Sequence, residues 1–153
     1  MEPISVKPFP IADFEAAPNM AELLAEYAQE SALDELGAAN PQFATYRQME
    51  AMGAARMLAA FQGDTLVGFL VVIISVVPHF GKPVASTESF FVAQAARKTG
   101  AGLKLLHEAE QIARESGAVG FFVSAPTGSK LADVLDNLKP YRETNRLFFR
   151  GLQ

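Results

Sequence analysis

Arg97-Lys98-Thr99-Gly100-Ala101-Gly102 is the stretch whose residue types and spacing point most directly to chemistry. Two glycines ahead of a helix-like run let several backbone N–H groups converge, and the helix dipole makes the point of convergence electropositive. Such a loop is built to hold an anion, and a phosphate suits it best. A Walker A loop would need Lys and then Ser or Thr just after its last glycine, but Leu103 follows Gly102. A dinucleotide fingerprint would need glycine at Leu105 and an acid at the end of the next strand, where Val123-Ser124-Ala125-Pro126 stands instead. Neither pattern applies.

The elements that must position this loop can be read outward from it. Ala85 to Ala93 before it predicts a strand, and Gly102 to Ser116 after it predicts a helix. That helix sets Leu105, Leu106, Ala109, Ile112 and Ala113 on one stripe and Lys104, His107, Glu108, Gln111 and Arg114 opposite, and Gly117 stops it. Upstream, Met57 to Gln62 and Thr65 to Val77 flank Gly63-Asp64 and predict two antiparallel strands joined by a tight turn, the second buried on both faces. Pro78 to Pro83 punctuates the chain before the next strand. Ile4 to Phe9 predicts a short edge strand cut by Pro8. Asn19 is placed to cap a helix through Met20, Leu23, Leu24, Tyr27 and Ala28 to about Glu30, with a reach toward Leu36, and Gly37 ends it. A second helical stretch runs from Phe43 to Met52. Downstream, Ala118 to Ser124 predicts a strand, Ser129 to Leu138 a helix and Arg142 to Arg150 a final strand.

The pattern R-x-x-G-x-G at Arg97 to Gly102, with Val92 five residues before the arginine, resembles the pyrophosphate loop of the GCN5-related N-acetyltransferase (GNAT) family. The predicted order of elements is also similar to that family's, most clearly from Met57 to Leu138. The resemblance implies an α/β (mixed α+β) fold, a single domain over residues 1–153, with a mostly antiparallel central sheet flanked by helices. It implies acetyl-CoA as co-substrate, its diphosphate held by Arg97, Lys98, Thr99, Gly100, Ala101 and Gly102. It further implies transfer of the acetyl group by direct attack of an amine on the thioester. In that family backbone N–H groups at a bulge before the loop polarise the thioester carbonyl, and they map to Phe91, Val92 and Ala93.

Glu88 is the candidate general base. Strand alternation puts it on one face with Phe90 and Val92 unless a bulge intervenes, and an acid in an apolar strand would be desolvated toward the basicity such a role needs. Related enzymes often supply a tyrosine to protonate the departing thiolate, in a stretch resembling N-x-x-A-x-x-x-Y. Aligned on Ala132, this chain has Ser129 and Asp136 at those places, so Tyr141, five residues later, is the candidate acid. His79 and His107 have no carboxylate at ligand spacing, so no metal role is assigned to them. No cysteine is present to act as a nucleophile or to form a disulfide.

Glu22, Glu26, Glu30 and Asp34 recur every four residues, with no Lys or Arg between Met20 and Leu36. Like charges at this spacing cost a helix about 0.2–0.5 kcal/mol per pair. The first two helices of GNAT-like proteins commonly wall the acceptor cleft, so an acidic ridge there would favour a cationic small molecule or a basic peptide. A net charge of −4 argues against nucleic-acid binding. The run Leu66 to Val77 is shorter than the roughly 20 residues a membrane helix needs, so no membrane partner is expected. Met1 to Pro10 lacks the features of a signal peptide, which leaves the cytoplasm as the expected compartment. A homodimer is compatible with all of this. The rival to a transferase is a non-catalytic acyl-CoA-binding or protein-interaction module that keeps the loop without the chemistry.

Overall fold

A computed structural model gives the fold and describes residues 2–31 and 33–153. Strands β1 (Ile4–Pro8), β2 (Ala55–Gln62), β3 (Thr65–Val77), β4 (Lys82–Val92) and β5 (Phe121–Phe122) form one sheet in that spatial order. Neighbours are antiparallel except β4 and β5, which run parallel. Helices α1 (Ile11–Glu15), α2 (Met20–Ser31) and α3 (Phe43–Ala51) precede β2, α4 (Ala101–Glu115) follows β4, and α5 (Lys130–Asp136) follows β5.

The period-2 alternation of the central strands divides the core into two layers. Leu58, Leu70 and Val72 face α4, whose Leu105, Ala109, Ile112 and Ala113 form the stripe the sequence predicted. Met57, Ala59, Phe69 and Val71 face the other way and meet Ile11, Phe14 and Leu23 from α1 and α2. Complete burial of a Leu or Phe contributes about 1.5–3 kcal/mol, so these two layers fix where the ends of β4 and α2 must lie.

Several expectations need correction. Helix α1 was not anticipated; at five residues it is too short to show a helical period, yet it buries Ile11 and Phe14. Asn19 does not serve α2 as the expected cap interaction: its side-chain amide donates to the Leu66 carbonyl at 2.7 Å, tying α2 to β3. The predicted reach of α2 toward Leu36 crosses Ala32, outside the described residues, and beyond it Asp34–Leu36 is a separate 3₁₀ turn. The strand expected over Ala118 to Ser124 contracts to two residues, because Ser124 donates its N–H to the Thr87 hydroxyl rather than to a β4 carbonyl. The final strand expected over Arg142 to Arg150 does not form, since no neighbouring strand pairs with that segment.

Candidate active site

The glycine-rich stretch is a 3₁₀ helix, Gln94–Thr99, that passes into α4 through Gly100. Gly100 has φ of 87° and nothing within 4 Å of where a Cβ would lie, so its backbone angle is what demands glycine. Gly102 differs. It lies inside the first turn of α4, and a Cβ there would meet only Val92 Cγ2, at 3.9 Å. The fold therefore gives no reason to forgo alanine, which would favour the helix by about 1 kcal/mol. Lys104 donates the first α4 bond, to Gly100 O at 3.1 Å, so the N–H groups of Gly102 and Leu103 precede the intrahelical ladder. Free donors, a helix N-terminus and clear space at Gly102 together fit an anion.

Beside this loop the sheet opens. β4 and β5 are paired only at Ala85 with Phe121 and Ser86 with Phe122, leaving the outer edge of β4 from Thr87 to Val92 without a ladder. Ala93 donates its N–H to Val67 O on β3 at 2.8 Å, so strand alternation turns the N–H of Val92 and of Phe90 into the wedge and that of Phe91 toward β3. Of the three backbone groups expected to meet a carbonyl, Phe91, Val92 and Ala93, only Val92 offers its N–H to the wedge. The expected bulge is also displaced. β4 is regular from Ser89 to Val92, and the register slips where Val71 pairs with Ser89 but Val72 with Thr87. The inserted residue is Glu88.

This bulge changes the face on which Glu88 lies. Phe90 and Val92 join the layer against α4, whereas Glu88 joins Tyr27, Tyr46, Phe69 and Ser89 around a cleft of about 80 Å³ on the α1–α3 side. The expected common face with Phe90 and Val92 is therefore not observed, and Glu88 is exposed rather than desolvated in an apolar strand. Tyr46, on α3, donates its hydroxyl to Glu88 Oε1 at 2.7 Å. Burial raises the Tyr46 pKa, and the hydrogen bond to Glu88 and its negative charge push the same way. Tyr27 is raised by burial and then by the Glu88 charge. Both phenols stay protonated through the neutral range. Neither tyrosine was singled out from the sequence, where each sits in an ordinary helical pattern; the Glu88–Tyr46 contact joins residues 42 apart.

The acidic ridge on α2 also has partners that the helix sequence does not reveal. Glu26 accepts the Gln94 N–H at 2.7 Å, and both Glu30 oxygens accept from Arg97 Nη2 at 2.7 Å. Arg97 donates Nε to Val92 O at 2.9 Å, and its guanidinium lies 5.4 Å from the centre of the Phe91 ring. The unpaired ridge is thus corrected: Glu26 and Glu30, two of its three acids on α2, bind the glycine loop, Asp34 lies in the separate 3₁₀ turn, and Arg97 links α2, the end of β4 and that loop. Lys98 remains exposed on the same loop. Thr99 accepts the Ala101 N–H at 3.3 Å and donates to Ala96 O at 2.5 Å, which shapes the entry to α4. Tyr141 lies elsewhere, donating to Glu110 Oε1 on α4 at 2.5 Å, and its pKa is raised by burial and by Glu110. Glu110 is nine residues along α4 from Ala101, about 13 Å by helical rise.

A sequence model of the acetyltransferase (GNAT) family matches residues 17–129, which include the loop, the wedge and all of the Glu88 cleft but Ile11 and Phe14. The chain belongs to the GNAT family. Its five-stranded, mostly antiparallel sheet is also that of solved GNAT structures. An aminoglycoside acetyltransferase from an uncultured soil metagenomic sample aligns with TM-score 0.75 and 19% identity, covering 98% of this chain and 97% of that one. A ribosomal-protein-alanine N-acetyltransferase from Brucella melitensis aligns with TM-score 0.71 and 20% identity, covering 96% and 98%. An aminoglycoside 6'-N-acetyltransferase from Acinetobacter baumannii gives TM-score 0.66 and 17% identity over 98% of each chain. No curated protein sequence matches the chain.

As a GNAT protein the chain is an acetyl-CoA-dependent N-acetyltransferase. Acetyl-CoA supplies the acetyl group. No helix among the described residues is long and apolar enough to cross a membrane.

Proposed function

We propose that this GNAT enzyme acetylates a cationic amine bound in the Glu88 cleft. Glu88 carries the reading: the bulge in β4 turns one carboxylate into a cleft whose walls include the rings of Phe14, Tyr27, Phe43, Tyr46 and Phe69 beside aliphatic side chains. A carboxylate beside aromatic faces suits an ammonium group, through charge and through cation–π attraction. Acceptors named for the solved relatives, an aminoglycoside and a ribosomal-protein alanine, are amines, which supports the class and not a particular molecule.

In this reading the free N–H groups of Gly102 and Leu103, at the turn shaped by Thr99 and Gly100, hold the CoA diphosphate, with Lys98 adding charge at the rim. Val92 N–H, at the open edge of β4, polarises the thioester carbonyl. Glu88 takes one proton from the ammonium and the neutral nitrogen attacks the carbonyl carbon; the C–N bond forms, the nitrogen gives its second proton to solvent as the C–S bond breaks, and CoA leaves as thiolate. Tyr46 positions Glu88. Tyr141, engaged by Glu110, holds the segment after α5 to α4, and solvent returns the proton to the thiolate. The use of acetyl-CoA supports a cytoplasmic location.

Initial rates with acetyl-CoA across a polyamine, an aminoglycoside, a basic peptide and an uncharged aromatic amine test the proposal. The expected result is higher kcat/KM for the cationic acceptors and loss of that preference in Glu88→Gln. An uncharged amine turned over as well as the best cation would overturn it.

A further inference from the structure

Glycine weakens a strand interior, yet Gly68 stands inside β3 between Val67 and Phe69. Its φ lies outside the left-handed region, so the backbone angle does not demand glycine. Close approach does. A Cβ on Gly68 would lie 2.8 Å from Phe91 O, 3.2 Å from Val92 Cγ2 and 3.3 Å from Val92 Cα. Two of these three are backbone atoms of β4, which cannot swing aside as the end of a long side chain can. The strand is also irregular at this point. Ala60 pairs with Gly68 but Phe61 with Leu66, so Val67 is inserted opposite β2. Val67 and Phe69, two residues apart, accordingly pack in opposite layers of the core. The carbonyl of the bulged Val67 accepts the Ala93 N–H at 2.8 Å and so fixes the end of β4.

Phe91 O and the Val92 N–H belong to one peptide unit. That unit is planar and trans, so its oxygen points to β3 as its N–H points into the wedge. The space left at Gly68 is therefore what lets the Val92 donor sit where it does. We propose that Gly68, with the bulged Val67 beside it, is the positioning element for acetyl transfer, setting the Val92 N–H against the thioester carbonyl. The proposal rests on the reading that gives this N–H to that carbonyl. Gly68 pairs with Val92 on the side away from the wedge, so it acts through the peptide and not on the substrate. A Cβ there would push Phe91 O outward and carry the N–H at the other end of the plane off line. Donors to a developing oxyanion must stand about 2.7–3.1 Å from it, and removal of one costs about 10²–10³ in kcat. The diphosphate, held at the first turn of α4, would be bound as before.

Acetyl-CoA isotope-labelled at the carbonyl carbon and bound without acceptor reports this contact through the infrared band of its C=O stretch. In the parent the bound band should lie below that of free acetyl-CoA, the mark of a polarised carbonyl. Gly68→Ala should return the band to the free position and lower kcat by about 10²-fold, while the acetyl-CoA Kd measured by calorimetry stays at the parent's value. A general loosening of the fold would move affinity as well. Ala93→Pro approaches the same element from β4 and decides the matter where Gly68→Ala does not yield folded protein. The Ala93 φ of −53° already suits proline, and the substitution removes the N–H that ties β4 to Val67, so the same loss of band shift and of kcat is expected. A parent band at the free position would overturn the proposal by removing the assignment of Val92 beneath it. A shifted band that a folded variant keeps, whatever its kcat, would overturn the positioning role and leave that assignment standing.

Discussion

The inserted position of Glu88 is a single-residue event with consequences for rate. In the proposed role, Glu88→Gln should lower kcat by about 10²-fold, as measured by steady-state kinetics. Tyr46→Phe removes a donor and no base, so a fall of about tenfold or less is expected from the same measurement. Arg97 and Glu30 form the other residue-scale pair. Their side chains are partly exposed, so the ion pair itself contributes about 0.2–1 kcal/mol. Arg97→Ala also removes the bond to Val92 O and should weaken acetyl-CoA binding more than Glu30→Gln does. Titration calorimetry on both single variants and the double variant should show a coupling energy of about 0.5 kcal/mol or more; full additivity would mean that the pair does not act as a unit. Neither feature was legible in the sequence. A bulge leaves no residue-type mark at Glu88, and the partners of Glu26 and Glu30 lie 68 and 67 residues away.

At the scale of elements, the loop and α4 separate two uses of glycine. Gly100→Ala forces a side chain into a left-handed angle and should lower stability by about 1–2 kcal/mol. Gly102→Ala should leave stability unchanged or raise it by up to about 1 kcal/mol while reducing acetyl-CoA binding, since a Cβ would fill the space in front of the first turn. Thermal melts with and without acetyl-CoA distinguish them: at about 100 times its Kd the ligand should stabilise the parent by roughly 2.7 kcal/mol, and Gly102→Ala should respond least. The loop and α4 were readable because their signal is local, glycines at fixed offsets and a stripe of five apolar residues. The α1 turn was not, because five residues hold barely more than one helical period. The expected strand at Arg142 to Arg150 failed for the opposite reason: Leu147-Phe148-Phe149 has strand-forming composition, but a strand exists only where a partner edge meets it.

Across the whole molecule, all three tyrosines are shifted in one direction. Tyr27, Tyr46 and Tyr141 are raised by burial first and by neighbouring carboxylates second. Above about pH 10 the unfolded chain releases phenolic protons that the folded chain keeps, so the folded state binds more protons and stability falls as pH rises. Below that pH the contribution is fully present. Denaturant midpoints should therefore decline from pH 10 upward, and absorbance near 295 nm should show little phenolate at pH 10 in the folded protein and much in urea. The central sheet was legible because alternation and turns encode it, whereas the distribution of charge between its two faces depends on contacts that no window of sequence contains. The two-pair seam between β4 and β5 has one more consequence, in the exchange of amide hydrogens with solvent. Val92 is buried and Phe90 partly buried in the layer against α4, yet their N–H groups face the unladdered edge, so they should exchange like loop amides while Phe91 and Ala93, turned toward β3, remain protected. Acetyl-CoA in the wedge should slow the fast pair and leave the slow pair alone, giving β4 an alternating imprint of its ligand, residue by residue.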